Sequence, residues 1–68
     1  MNSQIISQMY DFYNDINDNW EERYPYMSRK DKAWYFFIKK NISSLHLLDE
    51  KYYYCFEFGY YPPKRKEE

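Results

Sequence analysis

The chain carries few side chains that could perform chemistry, with a single histidine, His46, and a single cysteine, Cys55. General acid–base catalysis needs a second group that orients the histidine ring and tunes its pKa. Only Asp49 and Glu50 lie near His46 in the sequence, and the pattern assigns both to a turn. Cys55 lies among aromatic residues, which is typical of a small buried hydrophobe. We therefore expect no enzyme activity, no catalytic residue, no cofactor and no metal site.

Phe36 is the first candidate for binding, because its helical neighbours at spacings of three, four and seven residues are basic. A ring among cations can anchor an interface with an acidic protein, or stack on a nucleic-acid base while the cations contact phosphates. A structural interpretation is also open, in which the domain covers Phe36 and the lysines extend around it. The basic neighbours are Arg29, Lys32, Lys39 and Lys40.

A stripe of carboxylates on the first predicted helix is the second candidate. Acidic residues near a helix C-terminus oppose the helix dipole, so an interaction should offset that cost. The stripe could mimic a phosphate backbone or bind a basic surface of a partner; alternatively it faces solvent or pairs with Arg23, Arg29 or Lys30. The sequence leaves open whether the acidic or the basic face is the binding surface. The carboxylates of the stripe are Asp11, Asp15, Asp18 and Glu22.

The tyrosine-rich C-terminal region is the third candidate. If it forms an edge strand of a two-stranded sheet, Tyr53, Glu57, Tyr60 and Tyr61 could line a binding surface, since tyrosine gives contact area at a low entropic cost. An open strand edge could also pair with a second copy and produce a homodimer. In the alternative interpretation, these tyrosines complete a small core.

An amphipathic helix over about residues 3–22 is predicted to carry the carboxylate stripe. Its apolar residues recur at helical spacing on the side opposite the carboxylates. Asn2 or Ser3 could cap its N-terminus. Pro25 ends the pattern, because it lacks a backbone donor and disfavours helical dihedrals in the residue before it. The apolar residues of this helix are Ile5, Met9, Phe12, Ile16 and Trp20.

A second helix is predicted to carry Phe36 and its basic neighbours. Ser28, followed three residues later by Asp31, is close to a capping box and predicts a helix through about Asn41. This helix should form an antiparallel hairpin with the first. Its apolar face contains Trp34, Phe37 and Ile38.

The remainder of the chain predicts a β-hairpin. Residues 45–48 read as a first strand, residues 49–51 as the turn and residues 52–58 as a second strand rich in aromatic residues. In the alternative, residues 45–48 prolong the second helix. The predicted fold class is α+β, a small two-layer domain in which a helical hairpin precedes a β-hairpin (α-α-β-β). Strand alternation would turn one face of rings towards the helices, namely Tyr52, Tyr54, Phe56 and Phe58.

Composition and length limit the remaining possibilities. A chain of 68 residues can hold one domain, which we place at residues 1–61, followed by a charged tail at residues 62–68. Aromatic residues make up 25% of the chain and supply bulk for a small core. The net charge of -1 argues against a dedicated nucleic-acid-binding domain. No signal peptide or membrane span is evident, and we expect a cytoplasmic protein.

These observations favour a small non-enzymatic protein-binding module, an inhibitor or modulator that occupies a surface of a larger protein. Segregated charge and a high content of Tyr, Trp and Phe are typical of interface anchors. The alternative is a small nucleic-acid-binding protein that uses Phe36 and its basic neighbours. Frequent Asn, Ile, Lys and Tyr suggest an AT-rich genome, and a small compact protein of this sort would suit a phage or mobile element acting on a host protein.

Overall fold

The regular structure of residues 3–63, which the computed structural model describes, is entirely helical. The N-cap prediction at Asn2 and most of the predicted tail, residues 64–68, lie outside these residues. Short 3₁₀ segments join the helices at Tyr24–Tyr26 and Ile42–Leu47. The α-helices are α1 (Ser3–Asp18), α2 (Trp20–Arg23), α3 (Arg29–Lys40) and α4 (Glu50–Phe58).

The α+β prediction is therefore wrong. Residues 45–48 belong largely to a 3₁₀ segment, and residues 52–58 lie within α4, so the β-hairpin does not form in the described part of the chain. The alternative of a prolonged second helix also fails, because α3 ends at Lys40. Two isolated strands are marginal in water, whereas a helix satisfies its own backbone hydrogen bonds before it packs. Tertiary packing thus overrides the strand preference of the rings.

Helix α4 has sequence signals at both of its ends that the strand interpretation overlooked. Glu50 in its first turn interacts favourably with the helix dipole. Gly59 follows the helix in the left-handed region at φ 82°, which suits a residue without Cβ. The backbone N–H groups of Gly59 and Tyr60 both donate to the Cys55 carbonyl. This pattern closes a helix C-terminus and satisfies an otherwise free carbonyl.

The helical period of α4 selects different inward-facing rings from those that strand alternation predicted. Tyr52 and Phe56, four residues apart, are half-buried, and Tyr53 is buried. Tyr54 and Phe58, which were predicted to pack on the helices, are 55% and 59% exposed. They lie on the outer face of α4 because side chains four residues apart share one side of a helix.

The first predicted helix is interrupted earlier than its apolar pattern suggested. Helix α1 ends at Asp18, and the Asn19 side chain donates to the Asp15 carbonyl and carboxylate at 3.1 and 3.2 Å. Asparagine and aspartate favour such local hydrogen bonds over helix interiors. The chain then resumes as the short helix α2, which begins at Trp20.

Helix α3 agrees with its prediction at both ends. The Ser28 hydroxyl accepts a hydrogen bond from the Asp31 backbone N–H at 3.1 Å, which confirms the predicted N-cap. Asn41 caps the C-terminus, and its backbone N–H donates to the Ile38 and Phe37 carbonyls. The predicted extent of this helix, through about Asn41, is confirmed.

The core lies where α1, α3, the second 3₁₀ segment and α4 meet. Its buried members are Met9, Trp34, Ile38, Leu45 and Tyr53. The Tyr53 hydroxyl donates to the Leu45 carbonyl and accepts from the backbone N–H of residue 48 at 3.2 Å, so it joins α4 to the segment before it. Around this core, five rings form what we call the inner aromatic cluster: Phe12, Trp34, Phe37, Tyr52 and Phe56.

Candidate functional site

A second group of rings runs from the end of α1 to the surface of α3. The Trp20 and Tyr24 rings are stacked with centroids 4.4 Å apart, and the Tyr24 and Phe36 rings meet edge to face at 6.3 Å. Tyr35 lies beneath them, with centroids 5.4 Å from Trp20 and 5.1 Å from Phe36. We call Trp20, Tyr24 and Phe36 the aromatic face, because these rings reach the surface as a continuous group.

Tyr35 anchors the aromatic face to the body of the protein. Its ring is buried and stacks on Tyr13 of α1 at 5.3 Å. Its hydroxyl donates to the Asn17 side-chain oxygen. Burial, with a smaller contribution from neighbouring Tyr13, raises the pKa of the Tyr35 phenol above its usual value of 10.0. Tyr35 therefore acts as a neutral, fixed support for the exposed rings.

The two outer rings of the aromatic face are substantially accessible to solvent. Phe36 is 44% exposed and Trp20 is 40% exposed. The domain thus leaves Phe36 partly uncovered, against the structural interpretation of that residue. Large apolar side chains that are grouped at a surface mark contact sites more often than single exposed ones do.

Basic residues flank the aromatic face on the α3 side. The Lys32 ammonium lies 4.7 Å from the centroid of the Tyr24 ring, a cation–π distance. Lys39 and Lys40 are exposed in the last turn of α3, three and four residues after Phe36. Arg29 is also exposed, at the first residue of the same helix. We call Arg29, Lys32, Lys39 and Lys40 the basic flank.

Acidic residues lie beside Trp20, at one end of the aromatic face. A groove of about 360 Å³ opens beside Trp20, and its polar lining includes Asp18, Glu21 and Glu22. We call these three carboxylates the acidic flank. The break at Asn19 therefore divides the predicted stripe, because Asp18 and Glu22 line the groove whereas Asp11 is exposed on α1.

Asp15 belongs to an ion pair instead of the groove. Its carboxylate lies 2.7 Å from the Arg23 guanidinium, as the structural interpretation of the stripe allowed. Both side chains are about half exposed, so the pair adds at most about 1 kcal/mol to stability. The groove itself is lined by residues 17–22, none of which is basic.

A separate exposed aromatic surface lies at the end of α4. The Tyr54 ring lies 4.6 Å from Phe58 and 6.3 Å from Tyr60, and Tyr61 is also exposed. Tyr53, which was predicted to share this surface, is 3% exposed and contributes to the core instead. Glu57 is exposed.

The chain after α4 is fastened to α3 by side-chain hydrogen bonds. The Lys30 ammonium donates to the Gly59 carbonyl, and the Trp34 indole N–H donates to the Tyr60 carbonyl at 2.6 Å. The open strand edge that was predicted for Tyr60 and Tyr61 does not exist among residues 3–63, since these residues follow a helix.

The single histidine and the single cysteine of the chain differ in their exposure. His46 is exposed and Cys55 is half-buried. Within residues 3–63, no group of three or more His, Cys, Asp or Glu side chains is placed to hold a metal ion. None of the helices described is both long and apolar enough to cross a membrane.

Sequence reasoning missed two members of the aromatic face. It assigned Trp20 to the core because its spacing continued the apolar pattern of α1, and it treated Tyr24 as part of a connection. Three consecutive poor helix formers, residues 17–19, come directly before Trp20 and could have indicated the break.

Protein-family models, curated proteins and solved structures were compared with the chain, and none of them matches it.

Proposed function

We propose that the protein is a small non-enzymatic binding module that uses its aromatic face to occupy a surface of a larger protein in the cytoplasm. The observation that carries this proposal is the contiguous group of Trp20, Tyr24 and Phe36, whose outer rings are exposed and whose inner support, Tyr35, is buried. Tryptophan and tyrosine are enriched among the residues that dominate binding energy at protein interfaces.

Preorganisation of the rings supports this role. Trp20 stacks on Tyr24, and both Trp20 and Phe36 contact the buried ring of Tyr35. Rings held in this way lose little conformational freedom on binding, so more of their contact energy becomes affinity. An inhibitor or modulator acts by covering a surface and needs no catalytic group of its own.

Charge on the two flanks would orient the complex. The basic flank suits an acidic region of the partner, and the acidic flank suits a basic one. Complementary charge around an apolar centre sets the register and raises the association rate more than it raises the affinity. The partner should therefore present an apolar patch with charged residues beside it.

Nucleic acid is the second candidate partner, because Phe36 is exposed next to Lys39 and Lys40. The carboxylates of Glu21 and Glu22 beside Trp20 would repel phosphates, so a protein partner is favoured. A gel shift with mixed oligonucleotides at low salt separates the two, since phosphate contacts are strongest there. Retardation that is lost on adding salt would replace the protein-binding proposal.

Capture from native cell extract, followed by mass spectrometry, tests the proposal. The variant Trp20→Ala/Phe36→Ala removes the two outer rings of the aromatic face. The control variant Tyr54→Ala/Phe58→Ala removes two rings of comparable exposure from α4. We expect the first variant to lose a specific protein that the wild type and the control retain, while far-UV circular dichroism shows both variants folded. If the wild type and both variants captured the same protein equally well, the aromatic face would be refuted as the binding site.

A further inference from the structure

The basic flank surrounds Phe36 on the outer surface of α3. Its four bases lie three, four and seven positions from Phe36, which places them within about 60° of it around the helix axis. Asp31, the one acidic residue in this helix, lies about 140° away from Phe36. The Lys32 ammonium also lies 4.7 Å from the centroid of the Tyr24 ring, so a base forms part of the aromatic face. This surface of α3 therefore carries bases before and after Phe36 and no carboxylate.

Folding does not account for all of these bases. The two lysines in the last turn of α3 suit the helix dipole, but Arg29 is the first residue of the helix, where a positive charge opposes it. Arg29 and Lys32 are three residues apart and are neighbours on the helix surface, so their charges repel. In the part of the chain that the structure describes, the ion pair joins Asp15 to Arg23, and no carboxylate pairs with the basic flank. Carboxylates of a partner would offset this cost.

The acidic residues near the aromatic face differ in this respect. Glu21 and Glu22 are in the first turn of α2, where a negative charge interacts favourably with the helix dipole. Asp15 already pairs with Arg23. The fold thus gives these carboxylates a stabilising role, whereas it gives none to Arg29. Of the two flanks, the basic one is the better candidate for a charged contact with a partner.

We propose that the partner covers the aromatic face with an acidic segment, whose carboxylates pair with the basic flank and whose apolar side chain packs on Phe36 and Tyr24. This inference rests on the proposed function and deepens it by naming the chemistry of the partner. Arg29 and Lys40 are about 16 Å apart along the helix axis. The segment therefore carries carboxylates on both sides of its apolar residue, over about three turns if it is helical.

Fluorescence anisotropy with the purified full chain at low salt tests this proposal. The probe is a labelled alanine-based helical peptide that has one central leucine and glutamates three, four and seven positions from it on both sides. One control peptide has lysine in place of every glutamate, and another has serine in place of the leucine. We expect the probe to bind about a hundredfold more tightly than the lysine peptide, because like charges repel. It should bind about tenfold more tightly than the serine peptide, which lacks the apolar anchor.

A matched pair of variants locates the charged contact. Lys40→Glu and Lys51→Glu change the net charge equally, and both lysines are exposed, on α3 and α4 respectively. Lys40→Glu should weaken binding of the probe about tenfold, because it places a carboxylate against those of the peptide. Lys51→Glu should bind the probe like the wild type. Far-UV circular dichroism establishes that each variant is folded.

Arg29→Glu separates a role in binding from a role in folding. It removes the repulsion from Lys32 and places a negative charge at the start of α3, so the urea midpoint of unfolding should rise above that of the wild type. Binding of the probe should nevertheless weaken about tenfold. A lower urea midpoint together with unchanged binding would show that Arg29 serves the fold, and would overturn the proposal.

The other outcomes also divide. Preference for the probe that Lys40→Glu weakens and Lys51→Glu does not supports the proposal. A wild type that binds no peptide up to about 1 mM, or binds the probe and the lysine peptide equally, overturns it. Equal effects of the two lysine variants overturn it as well. So does tighter binding of a single-stranded oligonucleotide of the same charge as the probe, because the occupant is then a nucleic acid.

Capture from extract distinguishes failure of this inference from failure of the proposed function. If the peptide preference is absent but Trp20→Ala/Phe36→Ala still loses a protein that the wild type captures, the aromatic face binds a partner of different chemistry. If the variant loses no captured protein either, both proposals are wrong.

Discussion

The inner aromatic cluster and the aromatic face are built from the same kinds of residues and the same kinds of ring contact but have different surroundings. Edge-to-face pairs occur in both, with centroids 5.2 Å apart for Trp34 and Phe56 and 6.3 Å apart for Tyr24 and Phe36. Stacked pairs also occur in both, so ring contacts alone do not distinguish the two regions. The inner rings pack around fully buried Met9, Ile38 and Leu45, whereas the outer rings have charged residues beside them. Aliphatic side chains in the centre therefore decide which aromatic group becomes a core.

Two tryptophan substitutions should produce the largest difference between these regions. Trp34→Ala removes a 3% exposed ring from the core and should lower the free energy of unfolding by about 3–5 kcal/mol. Trp20→Ala removes a 40% exposed ring, and we expect a loss of about 1 kcal/mol from its ring contacts. Urea denaturation followed by far-UV circular dichroism measures both. Similar losses would contradict the distinction between a core and a surface group.

A tyrosine pair on α4 sharpens the same comparison with a smaller effect. Tyr53→Phe deletes the hydroxyl that bonds the Leu45 carbonyl and the backbone N–H of residue 48. The buried carbonyl then lacks a partner, so the free energy of unfolding should fall by about 1–3 kcal/mol. The matched control Tyr54→Phe alters an exposed ring and should change stability by less than about 0.5 kcal/mol. Chemical denaturation measures the free energy of unfolding of both variants. Equal losses in the two would show that the Tyr53 hydroxyl has no structural role.

Tyr35 supports the aromatic face, and its burial should appear in the pH dependence of the free energy of unfolding. This is the smallest of the predicted effects. The pKa of Tyr35 is raised in the folded protein, mainly by burial, so the folded state holds this proton more tightly than the unfolded state. The contribution is fully present below the unfolded pKa of 10.0 and is lost as pH rises through the higher folded pKa. Tyr35→Phe should make the decline of unfolding free energy above about pH 10 less steep. If the free energy of unfolding declined equally steeply above this pH in the wild type and the variant, the Tyr35 hydroxyl would be solvated in the folded protein.

The parts of the fold that the sequence predicted correctly are those with local determinants. The start of α3 depends on one hydroxyl, that of Ser28, and one N–H three residues later, and both are evident in the sequence. The end of α3 at Asn41 likewise needs no knowledge of the rest of the protein. Periodicity also placed Met9 and Ile16 on the buried side of α1.

The errors arose where the local preference of rings conflicted with tertiary packing. Tyr52, Tyr53 and Phe56 favour strands, yet their spacing also fits one side of a helix, and only the neighbouring helices decide between these outcomes. The aromatic face was predicted in part, because Phe36 was identified from its basic neighbours. Trp20 was missed since its surface position depends on the break at Asn19.

The hydrogen bonds from Lys30 and Trp34 to the chain after α4 have a consequence for how the protein opens in its native state. They join residues 29 and 26 positions apart, so they form only after a long loop has closed. Helices α1 and α3 are also held together by contacts that do not involve α4, including the stacked Tyr13 and Tyr35 rings. Local opening can therefore release α4 as a unit while the α1–α3 pair stays formed, and amide hydrogen exchange should then be faster in α4 than in α1.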